Sequence, residues 1–299
     1  MNDKTLTSSG RNRQGQSQNK GQKQGRQPSK HRQTTHAPRK RFGQNFLTDQ
    51  GVITAIARAI APSESDNVVE IGPGQGALTD ALFDSGCAIN AIEIDRDLQS
   101  QLRVMFFNRE LTLHNADALK FDFSKLSKTA NDLRVVGNLP YNISTPLIFK
   151  LLENLGLIKD MHFMLQKEVV DRLAAVPGTK AWGRVSVMTQ IDCEVESLFE
   201  VPPEAFFPSP KVQSAIVRIT PKSEPYRPEC SRRQLSKLVH LAFAQRRKTL
   251  RNNLKDVIAD SSIEELGIDP GCRAETLSLD QLVDLSLLLT PVTPAKNGE

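Results

Sequence analysis

Residues 67–77 read NVVEIGPGQGA, and the reading of this stretch decides the fold. Asn67 to Ile71 is a short apolar run with β-branched side chains, which reads as a buried strand. It runs straight into Gly72, Gly74 and Gly76. Glycine lets a backbone turn sharply, and lets a ligand approach where a Cβ would otherwise stand. Gly76 to Phe83 then resumes with helical character. Strand, glycine turn and helix, in that order, open a doubly wound sheet with a nucleotide-like cofactor at the carboxyl end of its first strand.

Outward from this stretch, strand and helix signals alternate. Val52 to Ile60 has helical periodicity. Ala88 to Ile94 reads as a second strand, with a helix from about Asp95 to Phe106. Leu111 to His114, Leu133 to Val136 and Asp160 to Leu165 add three more strands. Thr145 and Pro146 look like the N-cap and first residue of a helix over LIFKLLENL. Cys193 to Phe199 and Ala215 to Ile219 are two further strands, separated by the Pro-rich Pro202 to Pro210. The alternation predicts an α/β fold: a doubly wound, mostly parallel seven-stranded sheet with helices on both faces. After Pro221 the strand signals stop. Gln234 to Leu254 and Leu279 to Leu289 are helical in pattern, so a small all-helical C-terminal domain is expected. The predicted bounds are 1–37 for a disordered basic tail, 38–220 for a cofactor-binding domain and 221–299 for the helical domain.

With 299 residues, 38% of them hydrophobic, the chain can fill one large core and a small one. No apolar run approaches the ~18 residues of a membrane span, and the start lacks the apolar stretch of a secretory signal. Cys87, Cys193, Cys230 and Cys272 have no CxxC spacing. That suggests neither a metal site nor a disulfide framework, and it fits a reducing cytoplasm. The net charge of +5 is unevenly spread, because Met1 to Arg41 carries 11 Lys or Arg against one acid, Asp3. The remainder is therefore net acidic. Residues 1–37 cannot bury enough apolar surface to offset their ordering entropy. Between Ser231 and Lys255 lies a second basic cluster with no acid: Arg232, Arg233, Lys237, Arg246, Arg247, Lys248, Arg251 and Lys255. Basic regions at both ends of an acidic body point toward nucleic acid. The bland alternative is a solvated helix face and a solubilising tail.

The chemistry-bearing residues fall at strand ends. Gly72, Gly74 and Ala77 satisfy the dinucleotide pattern GxGxxG/A. Glu93, closing the second strand, suits ribose hydroxyls; both features fit NAD and S-adenosylmethionine alike. Asp117, after the third strand, either accepts from an adenine amino group or caps the following turn. Asn138-Leu139-Pro140-Tyr141 ends the fourth strand beside the cofactor crevice. An aryl amine is a poor nucleophile because its lone pair is delocalised into the ring. Two acceptors, the Asn138 side-chain oxygen and the Leu139 carbonyl, can hold its N–H bonds and favour pyramidalisation. Pro140 stiffens the turn, and Tyr141 offers a flat face to a flipped base. In Phe206-Phe207-Pro208-Ser209-Pro210, one Phe either closes the other face of that base or belongs to a proline-braced connector. A hydride-handling site is not apparent, which argues against an oxidoreductase.

Taken in order, RFGQNFL from Arg41, EIGPGQG from Glu70, Glu93, NADAL from Asn115, NLPYNIS from Asn138 and FFPSPKV from Phe206 resemble the motif set of the ribosomal RNA adenine dimethyltransferases. These are class I methyltransferases with a Rossmann-like fold. The likeness spans about Arg39 to Leu289. The helical end, LVHLAFAQRRKTLRNNL from Leu238, is similar to the housekeeping branch, which dimethylates two adjacent adenosines near the 3′ end of 16S rRNA. The resemblance implies S-adenosylmethionine as co-substrate, 16S rRNA in the immature small subunit as partner, and a cytoplasmic monomer. It implies that Asn45 and Leu47 contact the cofactor, and that Gly72, Glu93 and Asp117 meet its methionine, ribose and adenine portions. Asn138 would touch both cofactor and target amine. Tyr141 and Phe206 would hold the base, and Arg246, Arg247, Lys248 and Arg251 would meet rRNA phosphates. Trp182 departs from the family, where Tyr is expected. Two other readings stand beside this one: a 23S rRNA enzyme of the erythromycin-resistance branch with the same chemistry, and a non-catalytic ribosome-assembly factor.

Overall fold

The computed structural model describes residues 44–289. The tail expected over 1–37 and the motif residues Arg41 to Gly43 lie outside them. In chain order the strands are β1 (Phe46–Leu47), β2 (Asn67–Ile71), β3 (Ala88–Glu93), β4 (Leu111–Asn115), β5 (Leu133–Asn138), β6 (Ile158–Gln166), β7 (Cys193–Val201), β8 (Phe206–Phe207) and β9 (Ser214–Pro221). Seven of them form one sheet in the order β4-β3-β2-β5-β6-β9-β7. Strands β2 to β6 run parallel, and β9 is antiparallel to both β6 and β7. All seven expected strands are present. The winding reverses at β2, whose neighbours are β3 and β5, so a crevice opens at the carboxyl ends of these strands.

Period-two alternation gives the central strands β2, β5 and β6 two buried faces. Val69, Ile71, Val135, Phe163 and Leu165 pack on one side with α4 (Ser144–Leu152) and α5 (Lys167–Leu173); Val68, Val136 and Met164 pack on the other with α1 (Gln50–Ile60) and α2 (Ala77–Leu82). The helix α3 (Arg96–Met105) begins at Asp95, whose carboxylate accepts from the Asp97 N–H at 3.1 Å. The expected Thr145 cap is displaced: α4 begins at Ser144 with no side-chain cap. The Ile143 N–H donates to the Pro140 carbonyl at 3.1 Å, and the Ser144 hydroxyl to the Tyr141 carbonyl at 3.1 Å. The turn after β5 thus runs directly into the helix.

Arg134 braces the amino ends of these strands. Its guanidinium meets Asp66 at 3.0 Å and Asp160 at 2.9 Å, and it donates to the Ile60 and Ala61 carbonyls at the end of α1. Gly137 serves close packing: a Cβ there would lie 2.4 Å from the Ile71 carbonyl oxygen.

A second core lies toward the C-terminus. The helices α6 (Arg184–Gln190), α7 (Arg232–Ala242), α8 (Leu250–Leu254), α9 (Asp260–Glu265) and α10 (Leu279–Leu287) surround it. Trp182, Val187 and Ile191 join Leu235, Leu238, Leu250, Ile263 and Leu282 there. The single helix expected over Gln234 to Leu254 is two helices, with a turn from Phe243 to Thr249. The Asn253 side chain donates to the Ala242 carbonyl at 2.7 Å, taking up an end carbonyl of α7. The Leu250 and Arg251 N–H groups donate to Cys272 and Pro270. Long-range partners therefore replace the hydrogen bonds a continuous helix would make. The helices α5 and α6 and the β1–β8 ribbon are additions to the expected pattern. Among the described residues no helix is long and apolar enough to cross a membrane.

Candidate active site

A cavity of about 300 Å³ opens at the carboxyl ends of β2, β3 and β5. Its floor is the glycine turn. Gly72 and Gly74 have φ of 67° and 58°, in the left-handed region where a Cβ is strained. Gly76 has φ 81°, and a Cβ there would come within 2.8 Å of the Phe106 ring. The turn therefore exposes bare backbone to the cavity and seats α2 against α3.

Glu93 ends β3 and is almost fully buried. Its carboxylate accepts from the Asp95 N–H at 2.8 Å. Burial pushes its pKa up, against the backbone N–H groups of Asp95, Gly74 and Ile94. Asp117 caps the following turn, its Oδ1 accepting from the Leu119 N–H at 2.9 Å, and the residue lines the cavity.

Asn138 closes β5. Its side-chain nitrogen donates to the Asn45 carbonyl at 3.0 Å. A carbonyl can only accept, so the amide is oriented with Oδ1 as its remaining acceptor. Leu139 is buried, and its N–H donates to the Met164 carbonyl at 3.2 Å. Tyr141 is half-buried, and its hydroxyl shares a hydrogen bond of 3.0 Å with the Ser214 hydroxyl. Asn45, Leu47, Gly72, Gly74, Glu93, Asp117, Asn138, Leu139 and Tyr141 all line the one cavity.

Phe206 is not among the residues that line it. It lies in β8, with Phe206 opposite Leu47 and Phe207 opposite Phe46. Alternation turns Phe206 into the core with Leu47 and Ile216, at 5% exposure, and leaves Phe207 at 65%. The aromatic ring of this ribbon that lines the cavity is Phe46. Sequence reading missed Phe46, Ser214, Glu70 and His162. Only Glu70, an acid inside a buried strand, carried a local signal. Burial raises the Glu70 carboxyl to about 7, with the Thr79 hydroxyl opposing and the charge of Glu93 reinforcing. His162 is buried beneath the cavity, its Nδ1 3.3 Å from Asp160 and out of line for a hydrogen bond.

Among the described residues, the cavity lining includes Glu70, Glu93 and Asp117 and no Lys or Arg. Such a wall suits a cationic nucleoside rather than a pyrophosphate. The basic cluster is elsewhere, on α7, on α8 and in the turn between them. Arg246 donates to the Lys180 carbonyl and sits 3.5 Å from Glu275, while Arg251 pairs with Asp260 at 2.5 Å. Arg247 and Lys248 are exposed and have no side-chain partner among the described residues. Trp182 is buried in the second core, away from the cavity.

The family model described as Ribosomal RNA adenine dimethylase matches residues 35–290. The chain belongs to this family. The dimethylase is 58% identical over 261 residues to a protein of Saccharophagus degradans named Ribosomal RNA small subunit methyltransferase A, covering 86% of this chain and 96% of that one. A protein of the same name from Chromohalobacter salexigens is 54% identical over 272 residues, 89% of this chain and 96% of its own. Among solved structures, the dimethylase resembles a dimethyladenosine transferase from Plasmodium falciparum, with TM-score 0.69 and 27% identity over 80% of this chain and 95% of that one. It also resembles the 23S rRNA methyltransferase ErmE, with TM-score 0.66 and 26% identity over 82% and 99%. The dimethylase is thus a methyltransferase of class I fold, and S-adenosylmethionine is its co-substrate. The acidic, cation-free lining fits that positively charged molecule.

Proposed function

We propose that the enzyme transfers methyl groups from S-adenosylmethionine to N6 of two adjacent adenosines near the 3′ end of 16S rRNA, in the immature small subunit. On this reading it acts as a cytoplasmic monomer, residues 38–220 performing the chemistry and the helical end from 221 contacting RNA. The observation that carries the reading is the orientation of Asn138. With its nitrogen held by Asn45, its oxygen accepts one N–H of the target amine, and the Leu139 carbonyl accepts another. Held between them, the nitrogen pyramidalises and directs its lone pair along the cleft.

The bound co-substrate supplies an electrophilic methyl group on a sulfonium, already activated for departure. The residues Gly72, Gly74, Glu93 and Asp117 would hold it, through bare backbone and two carboxylates. Tyr141, steadied by Ser214, stacks on the flipped base. No strong general base is required, because the methylated ammonium loses its proton readily. Alignment then provides most of the acceleration, a contribution that reaches about 7–11 kcal/mol in well-oriented systems. The 23S reading rests on the likeness to ErmE; the names of the relatives that share more than half their residues with this chain favour the small subunit.

The test is methylation of immature small subunits against naked 23S rRNA, with wild type and Asn138→Ala. The expected result is transfer to the small subunit by wild type alone. The variant should lose on the order of 10²-fold in kcat, as misplacement of a reacting group does, while keeping its RNA affinity. Transfer only to 23S rRNA, or full activity in the variant, refutes the assignment.

A further inference from the structure

We propose that the exposed segment 207–213 is a nucleotide-binding lip for the RNA residue next to the target adenine, with Phe207 stacking on its base and Lys211 meeting its phosphate. The inference rests on the reading of the cleft as an RNA adenine methylation site.

Both ends of the segment are tied to side chains that line the cleft. At its start, Phe207 stands opposite Phe46 in the β1–β8 pair. Directly opposed residues of an antiparallel pair project from the same face, and Phe46 lines the cleft. Past its end, Ser214 holds the Tyr141 hydroxyl at 3.0 Å. Between these anchors the chain is exposed except at Pro210, which is half-buried. Phe207 is 65% exposed and Val212 44%. A ring left that far in water adds little to the core, yet its backbone is held in register by β1. Ser209 adds a hydrogen bond of 2.9 Å to the Pro203 carbonyl, and Pro208 and Pro210 restrict the backbone.

The chemistry of the segment is that of a single-strand site, where aromatic faces stack bases and cations follow the backbone. Phe207 supplies the face and Lys211 the cation. No acid lies from Phe207 to Gln213, and Lys211 has no side-chain partner among the described residues. Turning an adenine out of its stack strips one face from its neighbour. An aromatic ring at the rim of the cleft replaces the partner that neighbour has lost. With two adjacent targets, the lip receives whichever adenine is not in the cleft.

The test uses the full chain and a single-stranded RNA of the small-subunit 3′ region, with 2-aminopurine beside the target adenine. Wild type and Phe207→Trp are expected to quench its fluorescence on binding. Phe207→Ala should lose the quench and weaken binding roughly tenfold, within the range that base–aromatic stacking supplies. Lys211→Gln should keep the quench and lower the salt dependence of binding. A full quench with unchanged affinity in Phe207→Ala overturns the proposal, as does wild-type methyl transfer without any quench. Quenching by the wild type together with no methyl transfer to immature small subunits supports the lip and counts against the proposed function instead.

Discussion

Asn138 donates to a neighbouring carbonyl at 3.0 Å and keeps its oxygen for the cleft, so its two ends do different work. Replacing it with Asp preserves size and an acceptor but sets a carboxylate against the Asn45 carbonyl. Asn138→Asp is therefore expected to lose as much kcat as Asn138→Ala, on the order of 10²-fold, in steady-state methylation assays. Glu70 makes a separate prediction. Its carboxyl is raised from 4.5 to about 7 by burial, so the folded state holds a proton that the unfolded chain releases. The stability this lends is complete below pH 4.5 and is lost as pH rises through 7. Denaturant titrations of the ligand-free protein should show ~3 kcal/mol lost across that window, and Glu70→Gln should flatten the fall. At this scale the sequence exposed what was contiguous. Asn138, Leu139 and Tyr141 line the cavity together because they adjoin in the chain. Ser214 meets the Tyr141 hydroxyl from β9 and Phe46 lines the cleft from β1, placements that no local pattern states. Of the two adjacent phenylalanines, which one faces the core depends on strand register, and no local pattern states that register.

The elements report the same division between local and distant causes. All seven strands of the main sheet were legible, the central β2 and β5 because a doubly buried strand is a compact apolar run. The break between α7 and α8 was not, because it is made by Asn253 on Ala242 and by N–H bonds to residues 270–272. Two substitutions probe how the sheet is locked. Arg134→Ala would remove the buried partner that Asp66 and Asp160 share, leaving Asp66 the exposed Lys159 at 2.8 Å, and would release the end of α1, costing ~3–5 kcal/mol as removal of one buried partner does. Gly137→Ala drives a Cβ to 2.4 Å from the Ile71 oxygen and should cost ~1–3 kcal/mol through forced backbone shifts. Because Gly137 precedes Asn138, that variant should also lose activity at temperatures where it stays folded. Thermal melts paired with methylation assays check both.

Over the whole molecule, charge is segregated: an acidic cavity at one place, exposed cations on the α7–α8 turn at another. Arg246 and Arg251 already face Glu275 and Asp260, whereas Arg247 and Lys248 stand unpaired among the described residues. A double Arg247→Gln, Lys248→Gln variant should therefore flatten log Kd against log salt by about 0.7 for each phosphate it no longer neutralises, more than the matching change at Arg246 and Arg251. Filter binding across a salt series reads this directly. The second core has a consequence for engineering and for descent. Trp182, Val187 and Ile191 are threaded through the chain before β7, yet they pack with α7, α8 and α10. A cut at residue 220 would thus tear a shared interior rather than separate two modules. Chimeras that graft the helical end of one relative onto the sheet of another should misfold unless residues 175–191 travel with it. Recombination between branches of the lineage would face the same barrier.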